Sequence, residues 1–149
     1  MADITDPETR SRMMRGIKGK NTNPEITIRH ALHSRGFRYR LHVKDMAGKP
    51  DIVLPKWNAV IFIHGCFWHH HAGCNNAVIP ATRREFWLDK LNGNRTRDKR
   101  HIEQLIERGW RVAVVWECSI RHMLKAHDTA MIESLSTWLK NGSTSLLIL

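Results

Sequence analysis

The sequence predicts an α/β or α+β domain in which a mixed β-sheet is flanked by helices. Three observations carry this. Two short apolar runs, DIVL at 51–54 and AVIFI at 59–63, are separated by the four-residue turn PKWN. A third run, WRVAVVW at 110–116, is almost wholly apolar. Segments of helical period with recognisable start signals lie around them.

Taken in order, Asp6-Pro7-Glu8 supplies an N-cap, a proline at the first helical position and an acid in the first turn. A basic helix over TRSRMMRGIKG is expected to follow, ending near Gly16–Gly19. Asn23-Pro24-Glu25 repeats the start signal, Ile28, Ala31 and Leu32 fall at helical spacing, and Gly36 stops that helix. Phe37, Tyr39, Leu41 and Val43 alternate with Arg38, Arg40 and His42, which predicts a half-buried strand with a basic face. Gly48-Lys49-Pro50 is a turn, and the runs at 51–54 and 59–63 then form a hairpin in the core. The stretch HGCFWHHHAGC, His64 to Cys74, sits at the end of that central strand, and Pro80 closes its loop. One helix is expected around Arg84–Leu91 and a second from about Arg95 to Arg108, ended by Gly109. Trp110–Trp116 reads as a buried strand with Glu117-Cys118 at its end. A last amphipathic helix uses Met131, Leu135, Trp138 and Leu139, and the tail SLLIL adds a strand or packs on the core. Trp57, Trp110, Trp116 and Trp138 are assigned to the core. No repeat or low-complexity linker divides the 149 residues, so one domain is expected.

The net charge is +10, unevenly spread. Residues 1–50 carry 11 basic and 5 acidic side chains, 51–100 carry 8 and 4, and 101–149 carry 5 of each. A basic surplus confined to one region points to a polyanion, most often nucleic acid. There is no apolar run of transmembrane length, and the acidic, polar start MADITDPETR is not a signal peptide, so a cytoplasmic protein without membrane contact is expected. Three cysteines in such a chain argue against a disulfide framework and leave metal binding open.

Asp51 opens a strand beside a second core strand, an expensive place for a charge unless it is paired or metal-bound, or caps the turn. Asp98 shares a helical stripe with Ile102, Leu105 and Gly109, so one acid stands on an inward-facing apolar face. It needs a metal, a hydrogen-bond partner, or an ion pair with Arg95 or Lys99. Glu25 lies in the first turn of its helix and favours the dipole there. Two or three of these acids converging on a strand end would suit Mg²⁺ and phosphoryl transfer.

Cys66, Cys74 and Cys118 offer three soft ligands, and His69, His70 or His71 a fourth, giving a Cys₃His set of the structural zinc type. The remaining histidines, His64 among them, suit acid–base work. Phe67 and Trp68 sit in a polar, ligand-rich loop. They either cover the metal site as a small satellite core or serve as wedges that open a base step, with Trp87 able to join them. Met13 and Met14 on the basic N-terminal helix are similarly open.

TRSRMMRGI, GKPDIVL, VIFIHGCFWHHH, PATRREFWLDK, NRTRDKRHI and GWRVAVVWEC, in this order, closely resemble the very-short-patch repair (Vsr) endonucleases of bacteria, over roughly residues 5–140. That resemblance implies a restriction-endonuclease-like core and nicking of duplex DNA 5′ to the thymine of a T:G mismatch. It implies one nuclease domain over 1–149, divided as a DNA-clasping N-terminal helix at 1–20, a nuclease core at 21–140 and a tail at 141–149. Asp51 would hold catalytic Mg²⁺ together with the backbone carbonyl of Ile63, a position where the family commonly has threonine. His69 would be the general base, with His64, Asp98 and Glu25 in support. Cys66, His71, Cys74 and Cys118 would hold structural Zn²⁺. Phe67, Trp68 and Trp87 would enter from the major groove, and Met14 would clasp the minor-groove side. The expected setting is a monomer in the bacterial cytoplasm, associated with the nucleoid and with contacts to other mismatch-repair proteins. One local departure stands out: Ala72-Gly73 separates the histidine run from Cys74, where the family passes directly from histidine to cysteine. That leaves His70 or His71 as the zinc ligand.

Two other readings compete with a Mg²⁺-dependent nicking enzyme. One is a non-catalytic zinc module that binds distorted DNA. The other is a zinc hydrolase using the histidine triplet, against which the thiolate-rich ligand set argues.

Overall fold

The computed structural model describes residues 22–149. The basic helix expected over residues 9–19, and Met14 with it, lie outside the described residues. Four helices and a five-stranded mixed sheet make up the remainder. In chain order they are α1 (Asn23–Ser34), β1 (Arg40–Leu41), β2 (Ile52–Leu54), β3 (Ala59–His64), α2 (Arg84–Glu107), β4 (Arg111–Trp116), α3 (Glu117–Ala126), α4 (Ala130–Asn141) and β5 (Leu146–Ile148). No helix among the described residues is long and apolar enough to cross a membrane.

The strands lie in sequence order across the sheet. β2 and β3 form the expected antiparallel hairpin, with Ile52 opposite Ile61 and Leu54 opposite Ala59. Its turn is a single 3₁₀ step over Pro55–Trp57 closed by Asn58 at φ 51°, a left-handed position that asparagine tolerates. β3 and β4 are parallel, His64 lying opposite Trp116, with α2 as the crossover between them. The apolar tail does add a strand, β5, parallel to β4.

Strand alternation sends side chains to two cores. Ile52, Leu54, Ile61, Ile63, Ala113 and Val115 pack with α1, α3 and α4 on one face. Val53, Val60, Phe62, Val112 and Val114 pack with Leu105 of α2 on the other. Helices thus cover both faces, which is why the central strands are apolar throughout. Fully burying each large aliphatic chain contributes about 1.5–3 kcal/mol, enough to fix the register.

Three local expectations change. The strand read over residues 37–43 shrinks to Arg40–Leu41. His42 adopts φ 55°, which breaks the alternation. Phe37 and Tyr39 therefore join one core and Val43 the other, while Leu41 stays exposed. The two helices expected at 84–91 and 95–108 are one continuous α2, because Asn92-Gly93-Asn94 does not interrupt it. An interior glycine costs about 1 kcal/mol, which the tertiary contacts of this helix outweigh. Finally, α3 begins directly where β4 ends, burying Ile120 and Met123.

Candidate active site and metal centre

The topology brings three chain segments to one end of the sheet. The antiparallel hairpin returns the start of β2 beside the end of β3, and the parallel crossover puts the end of β4 next to both. Asp51, the loop after His64, and Glu117-Cys118 therefore meet. Ligand crevices of open α/β sheets commonly form at such carboxyl ends.

Asp51 is anchored by its own backbone and side chain. Its N–H donates to Ile61 O at 3.1 Å, and its Oδ2 accepts the Ile63 N–H at 2.7 Å. Burial pushes its carboxyl up from 3.8 to about 7, with Glu25 adding to the rise and the Ile63 bond, His69 and Arg29 opposing it. In an extended strand, residues two apart turn their backbone polar groups to the same side. Ile61 accepts from Asp51, so the Ile63 carbonyl also faces the Asp51 side. A cleft of about 700 Å³ opens there, lined by Asp51, Ile63, Glu25, Gly65 and Arg121 among others. Glu25 is buried in it and paired with Arg29 at 3.0 Å, one helical turn on, which goes beyond a simple dipole role.

On the other side of Asp51 lies a smaller cleft of about 280 Å³ holding His64, His69 and Asp98. Asp98 pairs with His69, not with Arg95 or Lys99: Oδ2 lies 2.5 Å from Nδ1. The His64 and His69 rings stack at 3.9 Å, nearly parallel. Burial and the neighbouring His69 drive His64 down from 6.5 to about 3, so it is neutral at physiological pH.

The three consecutive histidines point three ways. The loop turns tightly, with His69 N–H donating to Gly65 O at 3.1 Å and His71 N–H to Cys66 O at 2.9 Å. Between them His70 takes φ 49°, which reverses its direction, and its ring meets Asn92 at 3.2 Å. His71 instead lies 3.5 Å from Cys118 Sγ and stacks on Trp116 at 3.9 Å. Gly73, at φ +71°, turns the Ala72-Gly73 spacer back so that Cys74 rejoins the cluster. The ligand atoms of Cys66, His71, Cys74 and Cys118 all lie within 4.8 Å of one another. Sulfurs around a tetrahedral zinc sit about 3.8 Å apart when each Zn–S bond is about 2.3 Å, so a small contraction fits the ion. Burial pushes the Cys66 thiol up to about 12, and a bound cation would deprotonate it. Trp116, expected only as core, stacks on His71 and meets the His64 ring edge-on at 5.1 Å, so it stands between the two centres.

Phe67, Trp68 and Trp87 form one aromatic cluster, with centroids 5.0, 5.5 and 6.0 Å apart. Phe86, which the sequence reading left out, extends it by an edge contact with Trp87 at 5.2 Å and carries Arg83 over its ring. Asn94 Nδ2 donates to Trp68 O at 2.9 Å and ties the aromatic loop to α2. Helix position was the available signal for Asn94, one turn before Asp98.

A half-buried acid at a strand end, an imidazole held by a second acid, a cysteine-rich cluster and a basic chain together suit a hydrolase that acts on a polyanion. Comparison with known proteins gives the family. The DNA mismatch endonuclease Vsr family profile matches residues 2–76. The DNA mismatch endonuclease Vsr of Escherichia coli is 45% identical over 148 residues, covering 99% of this chain and 94% of its own. The type II nicking enzyme V.XorIIP of Xanthomonas oryzae pv. oryzae is 48% identical over 120 residues, 80% of this chain and 88% of its own. V.NmeAIP of Neisseria meningitidis, also a type II nicking enzyme, is 45% identical over 82% of this chain and 86% of its own. The chain belongs to the Vsr family of DNA mismatch endonucleases.

Proposed function

We propose that the protein nicks duplex DNA 5′ to the mispaired thymine of a T:G mismatch by Mg²⁺-dependent hydrolysis, on a restriction-endonuclease-like core. The observation that carries this reading is the place of Asp51. It borders both the larger cleft with Glu25 and the smaller one with the His69–Asp98 pair. A phosphodiester at Asp51 would face an acid on one side and a held base on the other.

Asp98 accepts from Nδ1–H of His69 and leaves Nε2 as the free acceptor. Nε2 takes the proton of the water that attacks phosphorus. The P–O3′ bond breaks and the 3′ oxygen takes a proton from solvent, giving 3′-hydroxyl and 5′-phosphate ends. His64 presents a neutral face to His69, so the imidazolium formed there meets no second cation. Asp51 and the Ile63 carbonyl would hold Mg²⁺, with Glu25 and Asp98 supporting through hydrogen bonds. Held there, Mg²⁺ would supply neutralisation of the charge that develops in phosphoryl transfer. Cys66, His71, Cys74 and Cys118 would hold Zn²⁺ and so fix the loop that carries both His69 and the aromatics. Phe67, Trp68 and Trp87 act as the wedge beside the mismatch, and Met14 clasps from the minor groove. The basic surplus supplies affinity that weakens with salt.

The test compares wild type with Asp51→Ala on duplexes carrying each mismatch, with Mg²⁺ at defined salt. Loss of nicking with retained binding is expected for the variant. A wild-type protein that binds but never nicks would leave a DNA-binding zinc module in place of the enzyme.

A further inference from the structure

The smaller cleft has two polar side chains that the proposed chemistry leaves unused, Lys49 and His101. Their placement is built, not incidental. His101 follows Asp98 by three residues on α2, so the two side chains share a face. The Gly48-Lys49 turn packs flat against it. Gly48 has φ +72°, and a Cβ there would lie 2.9 Å from His101 Cβ and 3.1 Å from two ring atoms. Lys49 is itself left-handed at φ 49°, directly before Pro50, while its N–H donates to Met46 O at 3.0 Å. Such a conformation is unfavourable for a residue with a Cβ and persists only where the surroundings impose it. The turn therefore fixes the backbone of Lys49, which lines a cleft that already contains Asp51 and the His69–Asp98 pair. A lysine ammonium and an imidazole N–H lining one cleft are groups that suit a phosphate. They stand on the histidine side of Asp51, away from the Glu25 cleft.

We infer that Lys49 and His101 bind the DNA phosphate adjacent to the one hydrolysed, and thereby fix which phosphodiester His69 addresses. This rests on the catalytic reading of Asp51 and His69. Both are positioning residues, so the test reads binding as well as cleavage.

Mismatched duplexes are made with a single neutral methylphosphonate at each phosphate around the nick. Wild type, Lys49→Met and His101→Asn are compared by equilibrium binding without Mg²⁺ and by single-turnover nicking with it. One flanking methylphosphonate is expected to weaken wild-type binding by about 3- to 10-fold, the size of a typical net hydrogen bond. Lys49→Met should weaken binding to the unmodified duplex by a similar factor and lower the salt slope by about 1. At that same phosphate the two changes should not add. His101→Asn should be non-additive at the same place, and Gly48→Ala, which displaces the His101 ring, should reproduce it. The inference is overturned if the effects add at every phosphate, or if Lys49→Met keeps wild-type affinity and slope. Absence of wild-type nicking would instead refute the catalytic reading, and the binding comparison would still decide on Lys49 and His101.

Discussion

Replacing Asp51 by asparagine is expected to stabilise the magnesium-free protein above neutral pH while abolishing nicking. Burial raises the Asp51 carboxyl from 3.8 to about 7. At 1.36 kcal/mol per pH unit, that rise corresponds to roughly 4 kcal/mol. Asp51 keeps some exposure, so this figure is an upper bound. The folded chain holds a proton that the unfolded chain has lost between those two values. Stability contributed by this group therefore falls as pH rises from about 4 to about 7, and above that the full penalty is present. Asparagine carries no charge and keeps an oxygen for the Ile63 N–H. Urea denaturation of both proteins from pH 5 to 8.5, with no Mg²⁺ added, measures the difference. The variant should be more stable at pH 8 by about 2–4 kcal/mol, and the curves should converge towards pH 5. Added Mg²⁺ should then stabilise wild type and leave the variant unchanged. Parallel pH curves, or a wild type at least as stable as the variant at pH 8, would refute the reasoning.

Other outcomes follow from the same geometry. His71→Ala and Cys118→Ser should lose bound zinc and lower the thermal midpoint, whereas His70→Ala should keep about one zinc per chain, as read by atomic absorption. His64 is depressed from 6.5 to about 3, so its contribution to stability is present above 6.5 and lost as pH falls through that window; His64→Gln should flatten the acid limb of a pH–stability profile. Trp68→Ala or Trp87→Ala should weaken binding to a mismatched duplex by about 5- to 100-fold, since base–aromatic stacking is worth about 1–3 kcal/mol. Binding to a fully paired duplex should change less, and fluorescence anisotropy with both duplexes distinguishes the two.

Elements with a local signature were readable in the sequence. The hairpin declared itself through two apolar runs around a Pro/Asn turn, and α1 through its Pro24-Glu25 start. α3 did not, because it leaves β4 with no capping side-chain bond and no spacer. α2 was read as two helices because Asn92-Gly93-Asn94 looks like a break, while the bonds that offset it, Asn94 to Trp68 and Asn92 with His70, come from a distant loop. For the site, residue types and the Cys₃His set were legible from composition and spacing. The partner of Asp98 was not, since His69 lies 29 residues away and nearby Arg95 and Lys99 competed for it. Nor could spacing choose between His70 and His71, whose directions depend on one left-handed residue.

The continuity of α2 has a further consequence. Trp87 and Asp98 stand 11 residues apart on one rod, or about 16 Å at 1.5 Å per residue. On the proposed reading, that rod is a ruler between Trp87 of the wedge and the acid that holds the base His69. One inserted residue would turn Asp98 by about 100° relative to Trp87 and leave every side chain chemically intact. His69 would then lose the acid that holds it without any of these residues changing. Loops of this chain can lengthen, as the Ala72-Gly73 spacer does, but on that reading the residue count between Trp87 and Asp98 has no slack.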